Sequence, residues 1–188
     1  GVGDFRNVIV DNCIISRSNR GLSIQIRDGG NVENVTYSNC IVETRRFCPD
    51  WWGTAEPIVI TTFNRDENTK SGKIKNIRFR NITCKGENGV LIHGTEENMI
   101  EDVTFENVSV TMTKTSKWDC GLYDLRPCLQ YGVEKYKNSG FFIRNAKNVL
   151  IEKSSVQWGN ICDDYNKAID AENAPNLELI RFSGTDAQ

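Results

Sequence analysis

Four stretches of the sequence share one pattern and decide the fold: VIVDNCII at 8–15, VTYSNCIV at 35–42, IRFRNITC at 77–84 and VTFENVSV at 103–110. In each, apolar residues alternate with polar ones, an asparagine follows, and a second short apolar run comes after it. Alternation with a period of two is typical of a β-strand, and no window carries a sustained 3.6-residue apolar stripe. The recurring unit is therefore predicted to contain short strands separated by a bend at the asparagine.

The spacing of these bends indicates a solenoid. Degenerate copies follow as VLIEKSSV at 149–156 and LELIRFSG at 177–184, and the successive bends lie 27, 42, 26, 46 and 28 residues apart. Strands at such a coil period bury their inward side chains by stacking on neighbouring coils. We therefore expect an all-β, right-handed, single-stranded parallel β-helix of about five to six coils, rather than a leucine-rich repeat, whose leucine-dense consensus is absent. The bend residues are Asn12, Asn39, Asn81, Asn107, Lys153 and Arg181.

Each unit also holds another strand, whose outward face is the candidate binding surface. In GLSIQIR at 21–27 the apolar residues alternate with Ser23, Gln25 and Arg27, so these three are predicted to point outward. Aligning the later segments on their apolar positions gives one polar residue per coil in the row of Gln25. Such a row suits a linear oligosaccharide and equally suits a solvated sheet face. The row is predicted to hold Gln25, Thr61, His93, Arg144 and Asp170.

Two insertions contain most of the aromatic residues that are expected at the surface. The first, RRFCPDWWGTAEP at 45–57, places Trp51 and Trp52 side by side, and aromatic rings near hydrogen-bonding groups stack well on sugars. The alternative is a loop that packs its tryptophans on the coils, and we expect one of the two to be buried and one available. The second insertion spans 114–136 and either flanks the same groove or covers another surface.

Bulk composition narrows the function. The 188 residues carry a net charge of -2 from interspersed charges, with 38% hydrophobic and 26% charged residues. The sequence has no basic block of the kind that indicates a nucleic-acid partner, and no apolar run is long enough to span a membrane. We expect one domain over 1–188, with no cofactor. Because the first strand begins almost at residue 1, the first coil has an unpaired edge, and we expect missing preceding coils or self-association there.

Seven cysteines are an odd number and lack the close pairs of a zinc site, so no metal site is predicted. Reduced thiols are the default expectation. Cys120 and Cys128 flank a loop and would be free to pair in an oxidising compartment. The compartment itself stays open.

The chain resembles glycoside hydrolase family 28, the polygalacturonase-like proteins, in segments that look like successive C-terminal coils of that family. These are NRGLSIQIRDGGNVENVTYSNCIVET, EPIVITTF and GKIKNIRFRNITCKGENGVLIHG. The resemblance implies a pectin-lyase-like solenoid that acts on an oligo- or polysaccharide by inverting hydrolysis. It also implies catalytic aspartates on Asn-x-Asp and Asp-Asp motifs, upstream of the coils present here, and a secreted or periplasmic location, although the unpaired cysteines leave a cytoplasmic one open.

The sequence departs from the family pattern at several positions. The family's Arg-Ile-Lys signature falls on Ser23-Ile24-Gln25, so both cations are replaced, and Arg20 or Arg27 is a candidate substitute. No catalytic aspartate motif occurs at an equivalent position, and lone His93 is expected to be an ordinary surface histidine. We therefore assign no catalytic residue in this chain. The candidate substrate-binding residues are Arg20, Ser23, Gln25, Arg27, Trp51, Trp52, Thr61 and His93.

Three functions stay open at this stage. The first is the substrate-binding part of a pectin-type hydrolase with its acid and base upstream, and the second is a noncatalytic carbohydrate-binding or structural β-helix. A third, a catalytic pair within these coils, would draw on Asp28, Glu33, Asp50 or Glu56. Single carboxylates are common on solvated loops, and none of these shows the family spacing.

Overall fold

The computed structural model describes residues 1–187, and over that range the regular structure consists of β-strands. None of these residues forms a helix long and apolar enough to cross a membrane. The strands are β1 (Phe5–Asp11), β2 (Ile14–Ser18), β3 (Arg20–Ile26), β4 (Val32–Thr44), β5 (Glu56–Thr62), β6 (Ile74–Gly86), β7 (Val90–His93), β8 (Ile100–Met112), β9 (Leu122–Asp124), β10 (Val133–Lys135), β11 (Phe141–Arg144), β12 (Ala146–Glu152), β13 (Ser155–Trp158), β14 (Ile169–Glu172) and β15 (Glu178–Ile180).

All the strands except the antiparallel pair β9 and β10 form two stacked parallel sheets, which confirms the predicted parallel β-helix. One sheet runs in the order β1-β4-β6-β8-β12-β15, with β2 and β13 beside β4 and β8. We call it the ladder sheet. The other runs β3-β5-β7-β11-β14, and we call it the covered sheet. The long strands β4, β6 and β8 pair without a register break. Six passes through one sheet and five through the other match the predicted coil number.

The polar bend residues take the left-handed backbone conformation predicted for them. Asn12, Asn39, Asn81 and Asn107 have φ between 53° and 56°, and Lys153 and Arg181 occupy the same position with φ of 48° and 51°. The Asn107 amide donates to Asn81 Oδ1 at 2.9 Å, and Asn81 donates to Asn39 at 3.0 Å. This is the expected asparagine ladder. A second ladder, which the repeat pattern did not reveal, contains Asn7, Asn34, Asn76, Asp102, Asn148 and Asn176.

The inward side chains of both sheets make one apolar core. Its centre contains a stack of parallel rings, with Tyr37 and Phe79 centroids 5.2 Å apart and Phe79 and Phe105 centroids 5.1 Å apart. The core also buries Cys40 and Cys84, so small thiols fill space between coils. Stacking equivalent residues from successive coils is what lets a short repeat bury its apolar face.

A disulfide holds the second insertion to the segment between β13 and β14. Cys120 bonds to Cys162, so the default expectation of reduced thiols is wrong for these two cysteines, and the alternative pairing of Cys120 with Cys128 is wrong too. Cys128 instead has a free thiol whose Sγ lies 3.3 Å from the Leu125 carbonyl oxygen. The coil stack brings residue 162 beside residue 120 although 42 positions separate them, a proximity that sequence spacing did not indicate.

Candidate functional site

The outward row of the covered sheet largely matches the prediction. Strand register places Gln25 beside Thr61, Thr61 beside His93, and His93 beside Arg144. The next residue in the row is Glu172, so the assignment of Asp170 to the row was wrong. Asp170 lies two residues before the correct position. Asp170 lies beside Phe142 instead. The error arose because the short segment KAIDA gives too few apolar residues to fix its alignment.

A segment of the second insertion lies over this row. We call residues 119–136, which include β9 and the antiparallel β10, the cover segment. The outward residues Val59, Leu91 and Phe142 form a second apolar cluster with Tyr123 and Leu125 of the cover segment, and all five are buried. The predicted binding face is therefore closed over its central coils. The insertion covers a surface, which was one of its two expected roles.

Thr61 and His93 are consequently not exposed to a ligand. Thr61 is 1% and His93 is 5% exposed, so the expectation of a surface histidine is wrong. The His93 ring packs against Phe63 and Tyr131, with centroids 5.1 and 5.2 Å away, and its Nδ1 donates to the Gly94 carbonyl at 2.7 Å. Burial lowers the pKa of His93 because the charged imidazolium would lose its hydration there. A neutral histidine in this cluster serves packing.

Arg27 also has a structural role instead of facing solvent as predicted. It is 6% exposed, and its guanidinium donates to the Pro127 carbonyl at 2.7 Å and to the Leu125 carbonyl at 3.0 Å. It further donates to Thr61 Oγ1 at 3.0 Å. Burial lowers the pKa of Arg27 to about 10, which leaves it charged at neutral pH. The residue fastens the cover segment to the first coil.

Arg20 is engaged in the same way at the other end of β3. Its Nη2 donates to the Asp124 carbonyl at 2.6 Å, and its Nε lies 3.5 Å from Glu56 Oε2. Both Glu56 and Asp124 have fully buried side chains. Glu56 accepts hydrogen bonds from the Thr54 backbone and hydroxyl, so it acts as a buried structural carboxylate and not as an accessible catalytic one.

Four of the predicted residues meet at one open cleft. A cavity of about 540 Å³ lies beside the first coil and includes Arg20, Gln25, Trp51 and Trp52 in its lining. Ser23 is exposed on the same strand face, and its hydroxyl accepts a hydrogen bond from Gln25 Nε2 at 3.0 Å. The complete lining is Arg17, Ser18, Asn19, Arg20, Gln25, Phe47, Cys48, Trp51 and Trp52.

Both tryptophans of the cleft are exposed. Trp51 is 71% and Trp52 is 53% exposed, so the expectation that one would be buried is wrong. Their ring centroids lie 6.4 Å apart with an interplanar angle of 29°. Gly53 holds the loop in place, because its N–H donates to Asp124 Oδ2 at 2.7 Å. The two rings are therefore not needed to anchor the loop. Adjacent exposed rings beside amide and hydroxyl groups provide stacking and hydrogen bonding for a sugar.

Sequence reasoning missed the buried carboxylate Asp124, which links the cover segment to the tryptophan loop. Asp124 accepts two hydrogen bonds from the Arg126 side chain, at 2.9 and 3.0 Å, besides the one from Gly53. Its burial acts to raise the pKa of Asp124, but the bonds from Arg126 and Gly53 outweigh it and hold the pKa below its ordinary value. At the far coil, Arg144 bonds to Asp170 at 3.0 Å and lies 3.4 Å from Glu172. A carboxylate at each of these positions is neutralised by an arginine.

The fold and cleft define a parallel β-helix with aromatic residues on its outward side, and comparison with known proteins gives the family. Residues 2–127 match the family model "Glycosyl hydrolases family 28", so the chain belongs to that family. It is similar to an endo-polygalacturonase from Pectobacterium carotovorum subsp. carotovorum, with 30% identity over 112 residues, 58% of this chain and 26% of that relative. The chain thus spans about a quarter of the length of the relative.

A solved structure of a candidate glycosyl hydrolase from Parabacteroides merdae is also similar. It has a TM-score of 0.39 and 9% identity, over 98% of this chain and 84% of that one.

Proposed function

We propose that this chain is the substrate-binding part of a glycoside hydrolase that acts on pectic or related plant polysaccharides. The catalytic aspartates of such an enzyme would lie upstream of these coils, and hydrolysis would proceed with inversion. Residues 1–188 would then be one β-helical domain in the C-terminal portion of a larger β-helix. The observation that carries the proposal is the cleft in which exposed Trp51 and Trp52 stand beside Gln25, on a family 28 fold.

The charges around the cleft support a binding role over a catalytic one. Inverting hydrolysis needs two carboxyl groups about 6.5–9.5 Å apart, one to protonate the leaving oxygen and one to activate water. Among the described residues that line the cleft, none is Asp or Glu. The nearest buried carboxylates, Glu56 and Asp124, already accept several hydrogen bonds. Asp28 is held by a bidentate bond to Arg65 at 2.9 Å.

Reducing-sugar release tests this assignment. The 188-residue chain would be incubated with polygalacturonate, rhamnogalacturonan and neutral pectic side chains, while tryptophan fluorescence follows binding of the same substrates. Binding without turnover is expected, and turnover by the chain would overturn the upstream location of the catalytic residues. Turnover by the full-length gene product would establish the hydrolase.

A noncatalytic carbohydrate-binding or structural β-helix is the second candidate. The specific observation in its favour is the cover segment, which buries Val59, Leu91 and Phe142 on the face where a polymer would otherwise lie. Saccharide binding by a full-length product that releases no reducing sugar from any of the three substrates would favour this candidate.

We also propose that the chain self-associates through its N-terminal coil. Ile9 is 76%, Ile14 is 73% and Phe5 is 54% exposed on β1 and β2, and an uncovered edge of such strands favours pairing with another chain. Sedimentation should show a concentration-dependent species larger than a monomer. A single monomeric boundary at all concentrations would contradict the proposal.

A further inference from the structure

We infer that the cleft is closed at one side and receives the end of a saccharide chain, not its interior. This inference rests on the proposed function. It is based on the hydrogen bonds between the cover segment and the first coil of the covered sheet, which also supplies residues to the cleft.

The cover segment contacts β3 at both of its ends and forms a wall beside it. Arg20, the first residue of β3, donates to the Asp124 carbonyl at 2.6 Å. Arg27, the residue after the last one of β3, donates to the Pro127 and Leu125 carbonyls at 2.7 and 3.0 Å. Carbonyls of the cover segment are therefore fixed at both ends of the strand that presents Ser23 and Gln25. Hydrogen bonds to a charged guanidinium are stronger than neutral ones, so the wall is firmly held.

The wall and the tryptophan loop are locked to each other. Gly53 follows the two tryptophans and donates its N–H to Asp124 Oδ2 at 2.7 Å. Its φ is +100°, and a Cβ at this position would lie 2.6 Å from the Asn19 carbonyl oxygen, so the close approach requires glycine. The tryptophan loop that lines the cleft is thus fixed to the cover segment, which lies over the next coils of the covered sheet.

A polymer that continued past Gln25 along the row would have to displace the cover segment. The next outward residues along the coils, Val59 and Leu91, are 0% exposed, and Thr61 is 1% exposed. The apolar contacts beneath the cover segment would be lost with that displacement. A saccharide whose end lies at Ser23 and Gln25 leaves the cover segment in place. The terminal sugar would stack on Trp51 or Trp52 and reach Gln25 by hydrogen bonding.

Titration against chain ends tests the inference on the 188-residue protein. The probes are polygalacturonate and a neutral galactan, each before and after partial hydrolysis, with tryptophan fluorescence as the signal. A hydrolysate with about ten times more chain ends should half-saturate the protein at about one tenth of the mass concentration. Half-saturation at equal mass before and after hydrolysis would mean interior binding and would overturn the inference while leaving the proposed function intact. Failure of every probe to bind would contradict the proposed function as well.

Two variants locate the binding. Trp52→Ala removes a cleft ring and should weaken binding of the hydrolysed probes by about tenfold, since a buried aromatic contact commonly dominates an interface. Gln130→Ala changes an exposed residue of the cover segment outside the cleft and should leave binding unchanged. Unchanged binding by Trp52→Ala would place the saccharide elsewhere and would overturn the inference.

Discussion

The two sheets of the coil stack have the same inward packing but opposite outer faces. On the ladder sheet most outer residues are polar or charged and lie open to solvent, with pairs such as Arg80 and Glu106 at 2.9 Å. On the covered sheet the equivalent positions hold Val59, Leu91 and Phe142 beneath the cover segment. One sheet is therefore half-buried, and the other is buried on both faces over its central coils. A repeat that looks uniform along the chain carries two different surfaces.

The sequence contains the signal for this difference. In the covered sheet the strands read as continuous apolar runs, IVI in β5, VLI in β7 and FFI in β11, where a solvated face would show alternation. Continuous apolar runs are typical of strands that are buried on both faces. These residues are covered at the central coils, and the covered sheet is open at its first coil and, through Glu172, at its last.

The largest expected effect compares one leucine on each outer face. Leu91→Ala should lower the free energy of unfolding by about 3 kcal/mol, because the side chain is fully buried between the sheet and the cover segment. Leu150→Ala, at an outward position of β12 on the ladder sheet, should cost less than about 1 kcal/mol. Urea denaturation of both variants measures this. Equal losses would mean that the cover segment does not seal the covered sheet.

A second comparison uses two arginines. Arg27→Ala should cost about 2 kcal/mol, because it leaves the Leu125 and Pro127 carbonyls without their charged donor. Arg78→Ala, on an exposed position of the ladder sheet, should change the free energy of unfolding by less than about 0.5 kcal/mol. Hydrogen exchange of residues 119–136 should rise in Arg27→Ala alone. Unaltered exchange there would show that Arg27 does not hold the cover segment.

Much of the fold could be predicted because its determinants are local and repeated. The bends at Asn39 and Asn81 were assigned from spacing, and their positive φ follows from the tolerance of asparagine for this conformation. Strand register placed Thr61 and His93 correctly, since alternation fixes which residues share a face. These features depend on residues that lie within one coil or at the same position of the next.

The candidate site was predictable only in part because burial there depends on a distant segment. Trp51, Trp52, Gln25 and Arg20 do line one cleft, but Arg27 and His93 are covered by residues about 40 to 100 positions further along the chain. The partner of Cys120 was missed for the same reason. Where a long insertion folds back on the coils, the alternation pattern gives the direction of a side chain and not what lies above it.

Acid should weaken the attachment of the cover segment. The pKa of Asp124 lies below its ordinary value of 3.8 in the folded protein, so its stabilising contribution is complete above that value and is lost as the pH falls through the lower, folded-state pKa. Wild-type unfolding free energy should therefore fall as the pH drops below 3.8. Asp124→Asn should be less stable at neutral pH and should show a smaller fall. Parallel pH profiles for the two proteins would contradict this assignment.

The smallest effect should have the opposite sign and belongs to the ladder sheet. Lys153 occupies a ladder position with φ of 48°. Backbone strain in this conformation costs a lysine about 1 kcal/mol, and it costs an asparagine much less. Lys153→Asn should raise the free energy of unfolding by about 1 kcal/mol, because it relieves this strain and places an amide beside Asn107. The lost ion pair between Lys153 and Glu152, at 3.2 Å, is exposed and contributes little.

The reverse change, Asn107→Lys, provides the matched control and should cost a similar amount, because it introduces the same strain and removes the bond to Asn81. Urea denaturation of both variants checks the pair. Two changes of the same sign would show that the ladder is not what fixes these bends. Opposite signs would show that the bends stabilise the ladder sheet, whereas the covered sheet is stabilised by the segment that lies over it.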